Sequence, residues 1–245
     1  MQMATGGINN DRLHRLIMEL ADRHRAHDIF TYIRDGIRLP LERRFSQLNK
    51  FVVFSVIFSD MMDLIARQYG SNPDDLSAAI VEHAKDDMHH FRLLISDYKE
   101  RMKIDSIMLD DVEQVLFAKE HLFMRTYAYE MMQICFRVMD NPVLLVCFLE
   151  AIEGSSYAMI SGYHPALKDY QAHSGLNLRY FGTTHLEIEE SHERLLDKIH
   201  VSDEIFAVCD AIVREHFENA WRMLDASLEC TYDYEEAVLA KTAAG

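Results

Sequence analysis

Apolar residues recur along this chain at intervals of three and four, in long segments divided by short polar stretches that hold most of the prolines and glycines. That spacing gathers each apolar set onto one side of a helix. Residues 10–35 predict one or two helices, with Asn10 or Asp11 as the cap. Pro40 opens a segment that closes at Tyr69-Gly70. Its centre, FVVFSVIFS, is β-branched, but the flanks ERRFSQLNK and DMMDLIARQ keep helical spacing and strong helix formers, so helix is predicted throughout. Ser71 or Asn72, with Pro73 at the first helical position, starts a helix that reaches Met102. Asp110 or Asp111 to Met139 forms the next. Asn141-Pro142 opens a fifth helix, stopped at His164-Pro165; a short piece to His173 and a loop at Ser174-Gly175 follow. Leu178 to Ile199, then a helix capped by Ser202 and ending near Leu228, complete the order, with 235–245 as a fraying tail. No repeat or low-complexity linker interrupts 1–245, so the prediction is one all-α domain, a bundle of about seven helices.

Composition agrees with long helices. Hydrophobic residues make up 49%, with only 9 Gly and 4 Pro to break the chain. The net charge of −15 repels polyanions, so no nucleic-acid partner is expected, though a small anion held by one or two arginines is compatible with it. Cys135, Cys147, Cys209 and Cys230 are dispersed and form no C-x-x-C pair, which reads as buried thiols in a reducing compartment. The start, MQMATGGINN, lacks the basic and apolar parts of a signal peptide. The run FVVFSVIFS is too short to span a bilayer. A cytoplasmic protein without a membrane partner is expected. There is no G-x-G-x-x-G, G-x-x-x-x-G-K-[ST] or G-x-S-x-G, so nucleotide and serine-hydrolase chemistry find no support.

The candidate chemistry lies in two stripes. In TTHLEIEESH, His185, Glu189 and His192 stand at i, i+4 and i+7, within roughly 60° of arc on a helix. In VEHAKDDMHHF, Glu82, Asp86 and His89 repeat that spacing. Glu150 and Glu153 lie inside the apolar stretch LLVCFLEAIEGSSYAM, where a carboxylate is costly unless paired or bound to a metal. One such stripe is commonly a solvated, ion-paired face. Two stripes plus a carboxylate in an apolar helix point instead to mixed nitrogen and oxygen ligands, the set that suits iron or manganese and leaves zinc open.

These residues resemble the motif of the haem-oxygenase-like diiron oxidases, related in fold to TenA-type thiaminases. That family shows Glu-x6-His on one core helix, a lone Glu on the next, and His-x3-Asp/Glu-x2-His on a third. The resemblance implies that Glu82 and His89 are the first element and that His185, Glu189 and His192 are the last. Glu153, 32 residues before His185, is the implied lone Glu, with Glu150 one turn earlier as the alternative. Asp86 would orient a ligand imidazole or add a ligand, while His83 and His90 point off this stripe and are assigned to packing or surface. Glu189 stands where Asp is more usual, which lengthens that arm.

The resemblance implies two irons cycling between Fe(II) and Fe(III), O2 as cosubstrate, and a peroxo-bridged diferric intermediate. It implies a small-molecule substrate, an amino acid or similar carboxylate, remodelled at a C–C or C–N bond. No flavin or nicotinamide motif appears, so an external electron donor is expected, and a homodimer with it. Arg34, Arg38, Arg125 and Arg179 are candidates to grip the substrate carboxylate. Phe51, Phe54, Phe58, Tyr127 and Tyr157 are candidates for cavity wall or core. Three rivals stand beside this reading. They are a ferritin-like carboxylate protein, a metal-free TenA-like hydrolase of a thiamin-related amine using Cys135 or Cys147, and a non-catalytic helical interaction domain.

Overall fold

The apolar stripe of the first helix, α1 (Ile8–Arg25), falls on Leu13, Leu16, Ile17 and Ala21, all of them buried. In the computed structural model, which describes residues 7–45, 50–72, 74–103, 116–191 and 194–243, every regular element is helical. After α1 come α2 (Asp28–Asp35), the short α3 (Leu41–Phe45), α4 (Phe51–Tyr69), α5 (Asp75–Asp87) and α6 (Phe91–Met102). The second half holds α7 (Leu122–Val138), α8 (Pro142–Ser174), α9 (Thr183–Ser191) and α10 (Asp203–Ala243), with 3-10 turns at Lys119–His121 and Leu195–Lys198. The expected all-α bundle is what forms.

Its axis is α8. Helices α1, α2, α7, α9 and α10 all pack on it, and Leu145 to Leu149 are completely buried. By length and composition α8 is the one helix among the described residues that could cross a bilayer, yet 61% of its apolar window is covered by protein. The Asn141 side chain caps it, accepting from the backbone N–H of Val143 at 3.0 Å and Leu144 at 3.3 Å, with Pro142 next as predicted. The helix does not stop at Pro165. A mid-helix proline has no N–H to give the carbonyl one turn back, at a cost of about 3 kcal/mol. Buried Tyr163, Ala166, Leu167 and Tyr170 surround it and hold the helix together. It ends at Gly175, whose φ of 74° favours a residue without a side chain. A Cβ on Gly154 would lie 2.5 Å from Ile17 Cγ2, so the bare backbone there lets α1 close on α8.

Other departures from the predicted elements have local causes. Asp74 caps α5, accepting from Ser77 N at 2.8 Å, where Ser71 or Asn72 was expected. Pro73 and the expected helix start at Asp110 or Asp111 lie outside the described residues. The segment 71–102 is two helices, broken at Met88–His90, where the Ser59 hydroxyl donates to Met88 O at 3.0 Å. Asn10 is buried inside α1 behind its cap, Gly7. Its amide donates to Leu196 O at 2.7 Å and Ile199 O at 2.9 Å, pinning the 3-10 segment. Residues 178–182 are irregular before α9 begins. The last helix passes Leu228 and runs to Ala243, with Glu235 buried in its final third rather than in a frayed tail.

Candidate metal centre

One side of α5 carries Ile80, His83, Ala84 and Asp87, all buried. Their positions at i, i+3, i+4 and i+7 form one arc, so the two apolar residues carry the imidazole and the carboxylate inward. There His83 Nε2 lies 3.4 Å from Asp87 Oδ2 and 3.4 Å from Glu153 Oε1, which α8 delivers from the opposite side. Ligand atoms of His83, Asp87 and Glu153 all lie within 4.8 Å of one another. The turn after α5 swings His90 into the same space. Its Nδ1 is 3.7 Å from Asp87 Oδ1 and 3.1 Å from His185 Nε2, and the two imidazoles meet edge to face at 4.6 Å. Five residues from α5, the turn after it, α8 and α9 thus form one continuous run: Glu153, His83, Asp87, His90, His185.

A support holds the α9 end of this run. Asp97, buried on α6, accepts from Arg179 N at 2.8 Å through one oxygen and from Tyr180 N at 2.7 Å through the other. Burial pushes its carboxyl up to about 6, against the opposing pull of those two N–H donors. The fixed Tyr180 carbonyl then meets His185 Nδ1 at 2.7 Å. A carbonyl only accepts, so His185 Nδ1 donates, and Nε2 is the ring nitrogen turned toward His90. Anchoring one ring nitrogen on a backbone carbonyl is how proteins aim a metal-binding imidazole.

The donor set fits a cation. Metal bonds of about 2.1 Å to imidazole nitrogen or carboxylate oxygen place ligand atoms roughly 3.0 Å apart at right angles and roughly 3.4 Å apart in a tetrahedron. The 3.4 Å spacings from His83 to Asp87 and Glu153 fit the tetrahedral value and the 3.1 Å between His90 and His185 the right-angle value, while His90 to Asp87, at 3.7 Å, is wider than either. Two carboxylates supply negative charge, and the absence of thiolate among these residues favours iron, manganese or zinc over softer ions.

The expected ligands are only partly those brought together. Glu153 and His185 are in the cluster. Glu82, Asp86 and His89 are not: all three are exposed, and the triplet one residue later faces inward in their place. His83 and His90, assigned from sequence to packing or surface, are at the centre. Glu150 accepts from Leu196 N at 2.9 Å and holds the 3-10 turn instead of joining the cluster. Burial pushes its carboxyl up to about 7, opposed by the N–H groups of Leu196 and Leu195. Glu189 lies on α9 one turn beyond His185, its side chain outside what the structure describes, and His192 lies outside the described residues.

The four arginines are engaged elsewhere. Arg34 grips Asp35, Arg38 faces Glu235 at 3.8 Å, Arg125 donates to the Leu116 and Ala118 carbonyls, and Arg179 donates to Ser96. Phe54 stacks on both Phe58 and Tyr127 at 5.5 Å, Phe51 meets Tyr163 and Phe181 edge to face, and half-buried Tyr157 lies under Arg25. The space shared by Phe51, Phe54 and Tyr127 is about 10 Å³, and Tyr127 also borders a larger cavity. Cys135 and Cys147 are fully buried. Burial pushes the Cys135 thiol up to about 12, and a hydrogen bond with Cys209 raises Cys147 further. Buried thiols whose pKa is raised hold little thiolate, the form that attacks as a nucleophile. No family model and no curated protein matches the chain.

Proposed function

We propose that the protein is an O2-dependent, non-haem iron oxidase whose centre is built on His83, Asp87 and Glu153, with His90 and His185 beside them. One observation carries the reading: imidazoles and carboxylates far apart in sequence converge inside an apolar bundle at the spacing of ligands around a cation. The arrangement keeps the logic of the family motif, with ligands on one core helix, a lone Glu on the next and a histidine on a third. On α5 it departs from that motif in register and in residue type, with His83 and Asp87 where the family has its glutamate. A ferrous ion held by these residues would supply the electrons to reduce O2 and so oxidise a bound organic molecule.

The protein's own residues divide the remaining work. Asp87 and Glu153 offset cationic charge, and His185 is aimed by Tyr180 O and, behind it, Asp97. His90 and His185 are the residues that would hold a second iron, since their ring nitrogens lie 3.1 Å apart. An amino acid or similar small carboxylate as substrate, with C–C or C–N remodelling, rests on the family resemblance. Anaerobic titration of the apoprotein with ferrous ion tests the centre, and oxygen uptake with mass spectrometry of products from an amino-acid panel tests the activity. Tight retention of iron in the native chain, lost in His83→Ala, is expected; a chain that retains none, or a His83→Ala variant that retains as much, ends the proposal.

A further inference from the structure

Lys50, just ahead of α4, has no part in the metal centre, yet it is only 7% exposed. Its Nζ lies 5.4 Å from the centroid of the Phe123 ring, and no carboxylate among the described residues forms an ion pair with it. Burial lowers its pKa, with Cys230 and Glu120 opposing. A desolvated ammonium packed against a ring, whose burial outweighs the opposing charge of Glu120, is a group that an anionic ligand would stabilise.

The lysine opens on space for such a ligand. It lines a cavity of about 590 Å³ together with Lys119, His121 and Tyr234. Glu120 and Asp233 also line that cavity, and unlike Lys50 both are exposed. Lys119, Glu120 and Cys230 also border an adjoining cavity of about 390 Å³, walled by Leu122, Phe123, Tyr127 and Met223, with Thr126, Asn219 and the ion pair of Glu130 and Arg222 also on its lining. The two together make a groove with a buried cation at one end and a largely apolar body, in which Glu130 is already paired to Arg222. No residue of the metal cluster lines it. Lys50 stands nine residues before Ser59, the α4 residue that touches the turn bearing His90, or about 13 Å of helical rise.

We propose that Lys50 anchors a second ligand site, for an organic anion with an apolar body, in the groove between the start of α4, the start of α7 and the C-terminal half of α10. The site is independent of the metal reading and is tested without iron. Calorimetric titration of the full chain with octanoate is expected to show a single saturable site, with octanol and octylammonium at least about tenfold weaker. Lys50→Met is expected to weaken octanoate by about tenfold or more, while Lys50→Arg keeps most of the affinity. Cys230→Trp, which narrows the groove and leaves the lysine in place, is expected to weaken it likewise, and it decides the matter should Lys50→Met not fold. His83→Ala is expected to bind octanoate as the native chain does, so loss of iron and loss of octanoate are separable failures. Undiminished octanoate binding in Lys50→Met or Cys230→Trp, no binding to the native chain, or a preference for octylammonium overturns the assignment.

Discussion

Helix α5 and the turn after it carry two triplets of one spacing in two environments. Glu82, Asp86 and His89 are exposed; His83, Asp87 and His90, each one residue later, are buried. A shift of one residue rotates the stripe by about 100°, enough to exchange solvent for core. What separates the triplets is their company. Ile80 and Ala84 share the arc of the inner one, while exposed Lys85 lies with the outer one. Ligand spacing identifies a stripe, and the apolar residues interleaved with it decide which stripe the fold turns inward.

The sharpest way to break this comparison is to truncate both triplets. His83→Ala is expected to weaken ferrous binding by about 100-fold or more, while Glu82→Ala and His89→Ala stay within about twofold of the native chain. Competition with a chromophoric chelator under anaerobic conditions measures all three. Equal losses in the two triplets would return the outer stripe to the centre. Next in size are Glu153→Gln and Asp87→Asn, which keep shape but remove charge. Each is expected to cost roughly 10- to 100-fold in the same assay, and an unchanged affinity in both would leave the inner stripe a packing motif.

These residues also show how far the sequence could be read. Fold class followed from apolar spacing, and the start of α8 followed from Asn141-Pro142, because both depend on contacts a few residues away. Glu153 and His185 were legible as members of the cluster because an acid in an apolar helix and a histidine at stripe spacing are local signals. The register of α5 was not, since the resemblance to Glu-x6-His favoured Glu82 and outweighed the apolar pattern of Ile80 and Ala84. The break at Met88–His90 contains neither glycine nor proline and is fixed by Ser59 from another helix. Continuity through Pro165 likewise depends on packing around Tyr163 and Tyr170, which no local rule contains.

The support behind His185 gives a smaller effect that sharpens the same contrast between aimed and solvated imidazoles. Asp97 uses both oxygens, one for each of two backbone N–H groups. Asp97→Asn keeps one acceptor and turns an NH2 toward the other donor, leaving it unsatisfied at a cost of about 1–3 kcal/mol. Lower thermal stability and a several-fold weaker ferrous affinity are expected together. A variant with native stability and native affinity would mean that the Tyr180 carbonyl does not depend on Asp97 for its position.

The smallest effect contrasts Glu150 with Glu153, two carboxylates one turn apart on α8, and it is read in stability rather than in metal binding. Burial holds the Glu150 carboxyl near 7, well above its ordinary value of 4.5, with the Leu196 N–H opposing. An acid whose pKa is raised by folding binds its proton more tightly in the native state than in the unfolded chain. Its contribution to stability is therefore complete below about 4.5 and lost as the pH climbs through about 7. Glu150→Gln keeps an oxygen for Leu196 N and cannot ionise. Relative to that variant, the native chain should lose on the order of 2 kcal/mol between pH 5 and 8, a few degrees of Tm. The difference in Tm between the two proteins, followed across that range in chelator, measures the effect. Parallel curves would show that Glu150 is as well solvated as an ordinary surface acid, and the contrast between the two carboxylates would then be one of partners alone.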